Sequence, residues 1–300
     1  MKLSVIVPCY NEYKSLNELH SRLTKRFNKE KISYEIIMID DGSTDDTLST
    51  IKGIIETDSN VKLISFSRNF GKEAAMLAGL RKATGEYTIF LDADLQQTED
   101  TVMEMYNKLI DNPSFDIVTA YNEDNNNSNK LKKVLTSIFY KIINTISEVK
   151  LLPGASDFRI FKSNVREALI SLPEKNRFTK GIFSWIGFNT IYIPYKPNKR
   201  EHGTTKWSMH KLVKYALDGI VAFSALPINV IFILSVFLFL VMLLNFIVMG
   251  NLGFRSVLLL LGFIVLSIGT LGLYILRMYA NSLNRPYYII KEEIGFKTKK

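Results

Sequence analysis

Two aspartates at the end of an apolar run are the residues of this chain best placed to do chemistry. The run is Tyr87–Leu91, the pair is Asp92 and Asp94, and Gln96 follows two residues later. Side chains two apart in an extended chain share a face, so these oxygens can converge on one point. Hard oxygen ligands of this kind suit a divalent cation, Mg or Mn, that also holds phosphate. The alternative is a solvated pair of aspartates in a turn.

Other apolar, strand-like runs are also followed by polar loops. With the first, these loops are Pro8–Glu12, Asp40–Asp45, Arg68–Lys72 and Asp92–Gln96. Strand and helix patterns alternate along this part of the chain, which predicts an α/β domain with a mainly parallel sheet. Ligands bind at the carboxyl ends of strands in such sheets, so four convergent loops favour a ligand site over a solvated turn. No Gly-x-Gly-x-x-Gly or Walker motif follows the first strand, which excludes a dinucleotide fingerprint and a P-loop.

Two long uncharged stretches occupy the last third of the chain, which has 300 residues and is 47% hydrophobic. No charged residue occurs in residues 219–254 or 256–276. Each stretch can cross a bilayer core as a helix, which takes about twenty apolar residues. We therefore predict transmembrane helices at 226–250 and 256–276. The alternative is a buried hairpin of core helices.

Lysine and arginine are distributed unevenly around the two predicted spans. The loop between them carries only Arg255, whereas residues 277–300 carry six Lys or Arg against two Glu. The segment before the first span is also rich in lysine. By the positive-inside rule, the large domain and the basic tail are both expected in the cytoplasm. The net charge is +9, and no nucleic-acid partner is expected.

Three segments between the predicted α/β core and the predicted spans have sequences that suit contact with either the domain or the membrane. Residues 131–146 predict an amphipathic helix that belongs to the core or lies toward the membrane surface. Tyr195–Trp207 is a basic loop, either a patch for anionic lipid or a set of cations for phosphate oxygens. Residues 208–225 predict a helix lying in the membrane interface. The cytoplasmic domain is therefore expected to span residues 1–207.

The motifs, taken in order, resemble those of the family 2 glycosyltransferases with a GT-A fold. More narrowly, they resemble the polyprenyl-phosphate glycosyltransferases, the group of bactoprenol glucosyltransferase and dolichyl-phosphate mannose synthase. The resemblance covers nearly the whole chain. Each motif is weak alone, but the ordered set is specific. Besides the four loops, it includes Asp157-Phe158-Arg159, Arg177-Phe178, Trp185-x-Gly187-Phe188, Arg200-x-x-Gly203-x-x-Lys206, Tyr274, Arg277, Tyr279 and Arg285-Pro286.

The resemblance implies a role for individual residues of these motifs. It implies an α/β, Rossmann-like nucleotide-diphospho-sugar transferase domain, followed by interfacial helices and two transmembrane helices. Asp92 would contact the ribose or diphosphate side of the donor, and Ala93 would belong to the nucleotide-sugar site. Asp94 and Gln96, also part of that site, would hold the divalent metal, Mg or Mn. The nucleoside pocket would be lined by Pro8, Tyr10, Glu12, Ile39 and Asp41.

A second group of implied residues concerns the acceptor. Arg200 and Lys206 would bind diphosphate, acceptor phosphate or both, with Arg159 as a further acceptor cation. Asp157 stands where the family's proposed catalytic base lies. A polyprenyl phosphate is already largely ionised at neutral pH, since the second pKa of a phosphate monoester is about 6. We therefore expect Asp157 to position Arg159 or the acceptor; proton removal is the alternative.

The predicted function is an inverting transfer of one sugar at the cytoplasmic face of a bacterial membrane. The donor would be a nucleotide sugar, most simply a UDP-linked glucose or N-acetylglucosamine, and the acceptor undecaprenyl phosphate. A homotetramer is a further expectation from the resemblance. Other acceptors, a glycan or a diacylglycerol, are alternatives within the fold. A non-catalytic membrane partner is the alternative outside enzyme function, and the intact Asp92, Asp94 and Gln96 argue against it.

Overall fold

The computed structural model describes residues 2–122, 154–174, 177–198, 226–249, 253–283 and 285–296, with isolated positions between 137 and 152. The described strands form one sheet in the order β7-β5-β6-β4-β1-β2-β3-β8. Their bounds are β1 Leu3–Cys9, β2 Tyr34–Asp40, β3 Val61–Phe66, β4 Tyr87–Phe90, β5 Ile117–Asn122, β6 Ala155–Lys162, β7 Thr190–Tyr195 and β8 Ile290–Ile294.

The centre of the sheet is parallel and buried on both faces. Strands β4, β1, β2 and β3 are neighbours and all run the same way. All seven residues of β2 are buried, which explains its apolar run Ile36–Ile39 without alternation. The helices that cover the two faces are α1 Tyr13–Lys29, α2 Thr47–Thr57, α3 Lys72–Lys82, α4 Glu99–Asp111, α5 Ser163–Ser171 and α6 Thr179–Trp185.

The sheet is mainly parallel, as the sequence predicts, but strands β6 and β8 run in the opposite direction. Strand β6 runs antiparallel to both of its neighbours, β4 and β5, whereas β7 returns parallel to β5. Antiparallel β6 brings residues 155–159, near its start, toward the carboxyl ends of β4 and β5. Asp157 therefore lies within a strand beside the ligand edge.

The last described strand, β8, was not expected from the sequence, which indicated only a basic tail in residues 277–300. Strand β8 pairs antiparallel with β3, with Leu63 opposite Ile294 and Phe66 opposite Ile290. Its residues alternate between half-buried and exposed. The segment that follows the predicted spans is thus an edge strand of the N-terminal domain.

Two long helices precede β8, α7 at Leu226–Met249 and α8 at Phe254–Ser282. Within them, Ile228–Val248 and Leu259–Leu276 are long and apolar enough to cross a membrane, and neither window is buried inside the protein. This exposure argues against a buried hairpin of core helices. Most of 131–146, all of 208–225, and residues Arg200 and Lys206 lie outside the described residues.

Candidate active site

Four polar loops meet at the carboxyl edge of the parallel strands, as the sequence predicts. The loop after β1 is joined to the loop after β2, because Asn11 N–H donates to Ser43 Oγ (3.0 Å) and Thr44 N–H donates to Asn11 Oδ1 (2.9 Å). Glu12 N–H donates to Thr47 Oγ1 at 2.9 Å. These bonds make the two loops one unit along the edge.

Asp41 joins the loop after β2 to the loop after β3. Its carboxylate is 3% exposed and accepts hydrogen bonds from Phe70 N–H (2.7 Å) and Gly71 N–H (2.9 Å). Burial raises the pKa of Asp41 to about 6, and the neighbouring Asp40 charge adds to the rise, whereas the two N–H groups oppose it. The Asp41 carboxyl, which is predicted to line the nucleoside pocket, is therefore buried and connects the loops after β2 and β3 through hydrogen bonds.

Because of Asp41, the unfolding free energy of the domain should depend measurably on pH. Its pKa in the folded chain lies above the ordinary value of 3.8, so its contribution to stability is greatest at low pH and is lost as pH rises through about 6. Relative to Asp41→Asn, the wild type should gain about 1 kcal/mol of unfolding free energy between pH 7 and pH 5. Urea unfolding in mild detergent, followed by tryptophan fluorescence, measures this difference. Parallel pH curves for the two proteins would contradict the assignment.

Gly42 allows the loops after β2 and β3 to approach closely. It has φ +67°, and a Cβ there would lie 2.4 Å from the Arg68 carbonyl carbon and 2.7 Å from Asn69 N. Both contacts are with backbone, so neither can be relieved by a side-chain movement. Only glycine fits this conformation and this spacing.

We expect Gly42→Ala to destabilise the domain by about 2 kcal/mol or more, because a left-handed backbone and a backbone clash are combined. Gly53→Ala is the matched control, since Gly53 lies in helix α2 with nothing within 4 Å of its added Cβ. The control should stabilise the domain by about 1 kcal/mol. Thermal unfolding of both full-length variants in detergent checks the pair. Equal unfolding midpoints for the two variants would contradict the prediction.

Lys72 joins the loop after β3 to two carboxylates of the site. Its ammonium lies 2.6 Å from Asp92 Oδ1 and 3.5 Å from Asp157 Oδ2. Burial opposes the charge of Lys72, but Asp92 and Asp157 hold its pKa well above the ordinary range. Lys72 stands in the motif Arg68–Lys72, but the motif alone predicts no role for this side chain. The carboxylate contacts could not be read from the sequence, because Asp92 and Asp157 are far from Lys72 along the chain.

Asp157 and Glu73 are neighbouring carboxyls with opposite protonation behaviour. Burial opposes ionisation of Asp157, but Lys72, with Lys180 and Arg159, holds the pKa of its carboxyl below the usual range. Burial and the adjacent Asp157 charge raise the pKa of Glu73 to about 8. The neighbouring cations thus favour an ionised Asp157, and the Asp157 charge in turn favours a protonated Glu73. Among the described residues, Asp157 Oδ1 is a buried oxygen with no hydrogen-bond partner.

Asp94 and Gln96 lie side by side at the tip of the loop after β4. Half-buried Asp92, Asp94 and Gln96 alternate with buried residues, which agrees with the predicted shared face. Gln96 N–H donates to Asp94 Oδ1 at 3.2 Å, and Leu95 between them has φ +61°. No group of three or more His, Cys, Asp or Glu among the described residues could hold a metal. A carboxylate and an amide fit Mg or Mn, which takes its other ligands from water and substrate phosphates.

The segment that leads into the basic loop is held against this tip. Asn198 N–H donates to the Gln96 carbonyl at 3.0 Å, and Gln96 Nε2 donates to the Asn198 carbonyl at 3.3 Å. Arg200 follows Asn198 by two residues in the sequence. The roles of Arg200 and Lys206 stay predictions, because these residues lie outside the described part of the chain.

The remaining predicted site residues differ in how deeply their side chains are buried. Pro8, Tyr10 and Glu12 are half-buried at the end of β1, whereas Ile39 and Ala93 have buried side chains, so these two could reach a ligand mainly through backbone. Arg159 is also buried; its Nε donates to the Ser156 carbonyl at 3.1 Å, and its guanidinium lies 4.5 Å from the centre of the Phe183 ring. These contacts favour Arg159 as a support for Asp157. The ligand roles of all these residues stay predictions.

Comparisons with known proteins agree on one family. The family described as Glycosyl transferase family 2 matches residues 4–169. The chain is 40% identical to CsbB of Bacillus subtilis (strain 168), a protein named as a glycosyltransferase, over 97% of this chain and 91% of that protein. It is 36% identical to the bactoprenol glucosyl transferase of Shigella phage SfV, over 98% of this chain and 99% of that protein.

A solved structure with the same fold is glucosyl-3-phosphoglycerate synthase from Mycobacterium tuberculosis, in complex with Mn2+, UDP-glucose and phosphoglyceric acid. The TM-score is 0.52 at 16% sequence identity, and the similarity covers 73% of this chain and 77% of that chain. At this identity the likeness concerns the fold.

Proposed function

This chain belongs to glycosyl transferase family 2, and from that premise we propose that it transfers a single sugar from a nucleotide sugar to a polyprenyl phosphate. The finer form of the proposal is a UDP-linked glucose or N-acetylglucosamine as donor, undecaprenyl phosphate as acceptor, and inversion at the anomeric carbon. Similarity to a bactoprenol glucosyl transferase over 98% of the chain supports a lipid acceptor.

One structural observation carries the proposal: the segment that follows a membrane-length helix is attached at the ligand edge of the sheet. Helix α8 ends at Ser282, and seven residues later Ile289 accepts a hydrogen bond from Ser67 N–H at 3.0 Å. Ile290 then pairs with Phe66 at the carboxyl end of β3. An acceptor whose phosphate lies at the headgroup level would therefore approach the loops that line the site.

The pairing of β8 with β3 also supports the proposed membrane arrangement. It requires the N-terminal domain and the segment after α8 to lie on the same side of any bilayer that α7 and α8 cross. Two spans satisfy this requirement, because an even number returns the chain to its starting side. The distribution of lysine and arginine supports the cytoplasm as that side.

In the proposed reaction, an oxygen of the acceptor phosphate attacks the anomeric carbon from the face opposite the leaving nucleoside diphosphate. One carbon–oxygen bond forms as the bond to the diphosphate breaks, so the configuration inverts. A divalent cation held by Asp94 and Gln96 would supply positive charge for the leaving diphosphate. The already ionised acceptor needs no base, so Asp157, which is paired with Lys72, is proposed to position Arg159 or the acceptor rather than to remove a proton.

The test uses the purified full-length chain in lipid nanodiscs that contain undecaprenyl phosphate and Mn2+. Labelled UDP-glucose, UDP-N-acetylglucosamine and GDP-mannose are supplied separately, and organic-extractable label is measured. We expect transfer from one of the UDP-sugars that depends on both the lipid phosphate and the cation. Parallel reactions with diacylglycerol and with a soluble glycan test the other acceptors. Absence of transfer to the lipid phosphate from all three donors would refute the proposal.

A further inference from the structure

The segment Arg285–Phe296, which follows α8 and is called here the post-membrane segment, contacts an active-site loop directly. We propose that its Tyr288 is a positioning residue for the donor site and acts by holding the loop Ser67–Lys72 in place. This inference rests on the proposed function only for the identity of the donor. The catalytic groups themselves belong to other parts of the chain.

Tyr288 contacts two elements of the N-terminal domain, the end of β3 and helix α3. Its ring stacks on Phe66, with ring centres 4.9 Å apart and planes 13° from parallel. The guanidinium of Arg81 in α3 lies 5.7 Å from the ring centre, and Arg81 Nη1 lies 3.4 Å from the Tyr288 hydroxyl. The backbone bond from Ser67 N–H to the Ile289 carbonyl lies next to this stack. The post-membrane segment is thus attached where β3 ends and the loop begins.

The pairing between β3 and β8 is irregular where β3 ends. Ser65 pairs with Glu292 and Phe66 with Ile290, so Lys291 is an extra, unpaired residue in β8. Such a bulge bends the strand that carries it, here β8, and bulges are common next to active sites. The stack of Tyr288 on Phe66 joins the segment just before this bulge to the end of β3.

From Phe66, packing continues into the donor site. The Phe66 and Phe70 rings meet edge to face, with centres 5.7 Å apart. Phe70 N–H and Gly71 N–H donate to Asp41, which is predicted to line the nucleoside pocket. Lys72 then contacts Asp92 and Asp157. Loss of the Tyr288 ring would loosen the loop that orders both the proposed nucleoside pocket and the carboxylates.

The far end of the post-membrane segment is held by separate contacts. Lys62 and Lys82 lie 5.4 and 5.2 Å from the centre of the Phe296 ring. Glu293 pairs with Lys82 at 2.8 Å. These contacts attach β8 to the domain without touching the loop Ser67–Lys72, so Phe296→Ala is a matched control for general weakening of the strand.

The experiment compares Tyr288→Ala, Tyr288→Phe and Phe296→Ala in the full chain in nanodiscs. Calorimetry with UDP and Mn2+ measures nucleotide binding, and transfer assays give KM for donor and acceptor separately. We expect Tyr288→Ala to weaken UDP binding and raise donor KM by about tenfold, the size that a lost aromatic stack allows. Acceptor KM should be unchanged. Tyr288→Phe should restore wild-type values, and Phe296→Ala should lower only the unfolding temperature.

The inference is overturned if Tyr288→Ala leaves UDP affinity unchanged, or if Phe296→Ala weakens UDP binding equally. It also falls if the wild type binds neither UDP nor GDP in the presence of Mn2+. Failure of the proposed function is a separate result: the wild type would bind the nucleotide without transferring sugar to the lipid phosphate, and the Tyr288 comparison would still be read from nucleotide affinity.

Discussion

Replacing Asp94 by alanine should lower the kcat/KM of sugar transfer by about 10^3-fold, because the leaving diphosphate would lose its charge compensation. Asp94 is half-buried at the tip of the loop after β4 and accepts a bond from Gln96 N–H, so little of the fold depends on its side chain. The measurement is transfer as a function of Mn2+ concentration, together with UDP affinity in the presence and absence of Mn2+. We expect the variant to lose the Mn2+-dependent part of UDP binding.

Asp100→Asn is the control for this experiment. Asp100 lies in α4, its side chain is 77% exposed, and its carboxylate is 3.5 Å from Arg26 on the protein surface. This variant should transfer sugar at the wild-type rate. If Asp94→Ala retained full Mn2+-dependent transfer, the metal assignment would be wrong. If neither variant nor the wild type transferred sugar, a non-catalytic membrane partner would become the better description.

Lys72→Met should cost about 10^2-fold or more in kcat/KM, because Asp92 and Asp157 would then face each other without the intervening ammonium. Methionine keeps most of the length and apolar volume of the lysine side chain. The variant should therefore remain folded while losing the arrangement of the two carboxylates. Steady-state transfer kinetics and the unfolding temperature, measured on the same preparation, separate these two effects.

Lys82 in the same helix offers a closely matched control. Both lysine side chains are about one-third exposed, at 35% for Lys72 and 37% for Lys82, and Lys82 pairs with Glu293 at 2.8 Å. Lys82→Met removes an ion pair of similar exposure at the opposite end of α3, and it should alter kcat/KM by less than about twofold. Equal losses for the two variants would argue that Lys72 acts only through stability.

Much of the fold was predictable because a short run of apolar residues is enough to indicate a buried parallel strand. Strands β1, β2, β3 and β4 are mostly apolar and almost fully buried, as expected at the centre of a parallel sheet. The placement of four polar loops at one edge follows from parallel strands. The α/β fold, with GT-A relatives and two membrane-length helices, is confirmed.

Two features of the site depended on contacts between distant parts of the chain. Asp157 belongs to an antiparallel strand, and no local pattern distinguishes an antiparallel neighbour from a parallel one. Strand β8 has the charged sequence Ile-Lys-Glu-Glu-Ile, whose lysine and glutamates suit an exposed edge. A short charged segment after a membrane helix has the composition of a tail.

The order of residues therefore determined the buried parallel strands, the loops at their carboxyl ends and the two membrane-length helices, because burial and helical or extended periodicity act over neighbouring residues. The tertiary structure decided which side chains from distant parts of the sequence are in contact. Lys72 contacts Asp92 and Asp157, and Tyr288 stacks on Phe66 more than two hundred residues earlier. Such pairs are set by sheet order and strand direction, which depend on the packing of the whole chain.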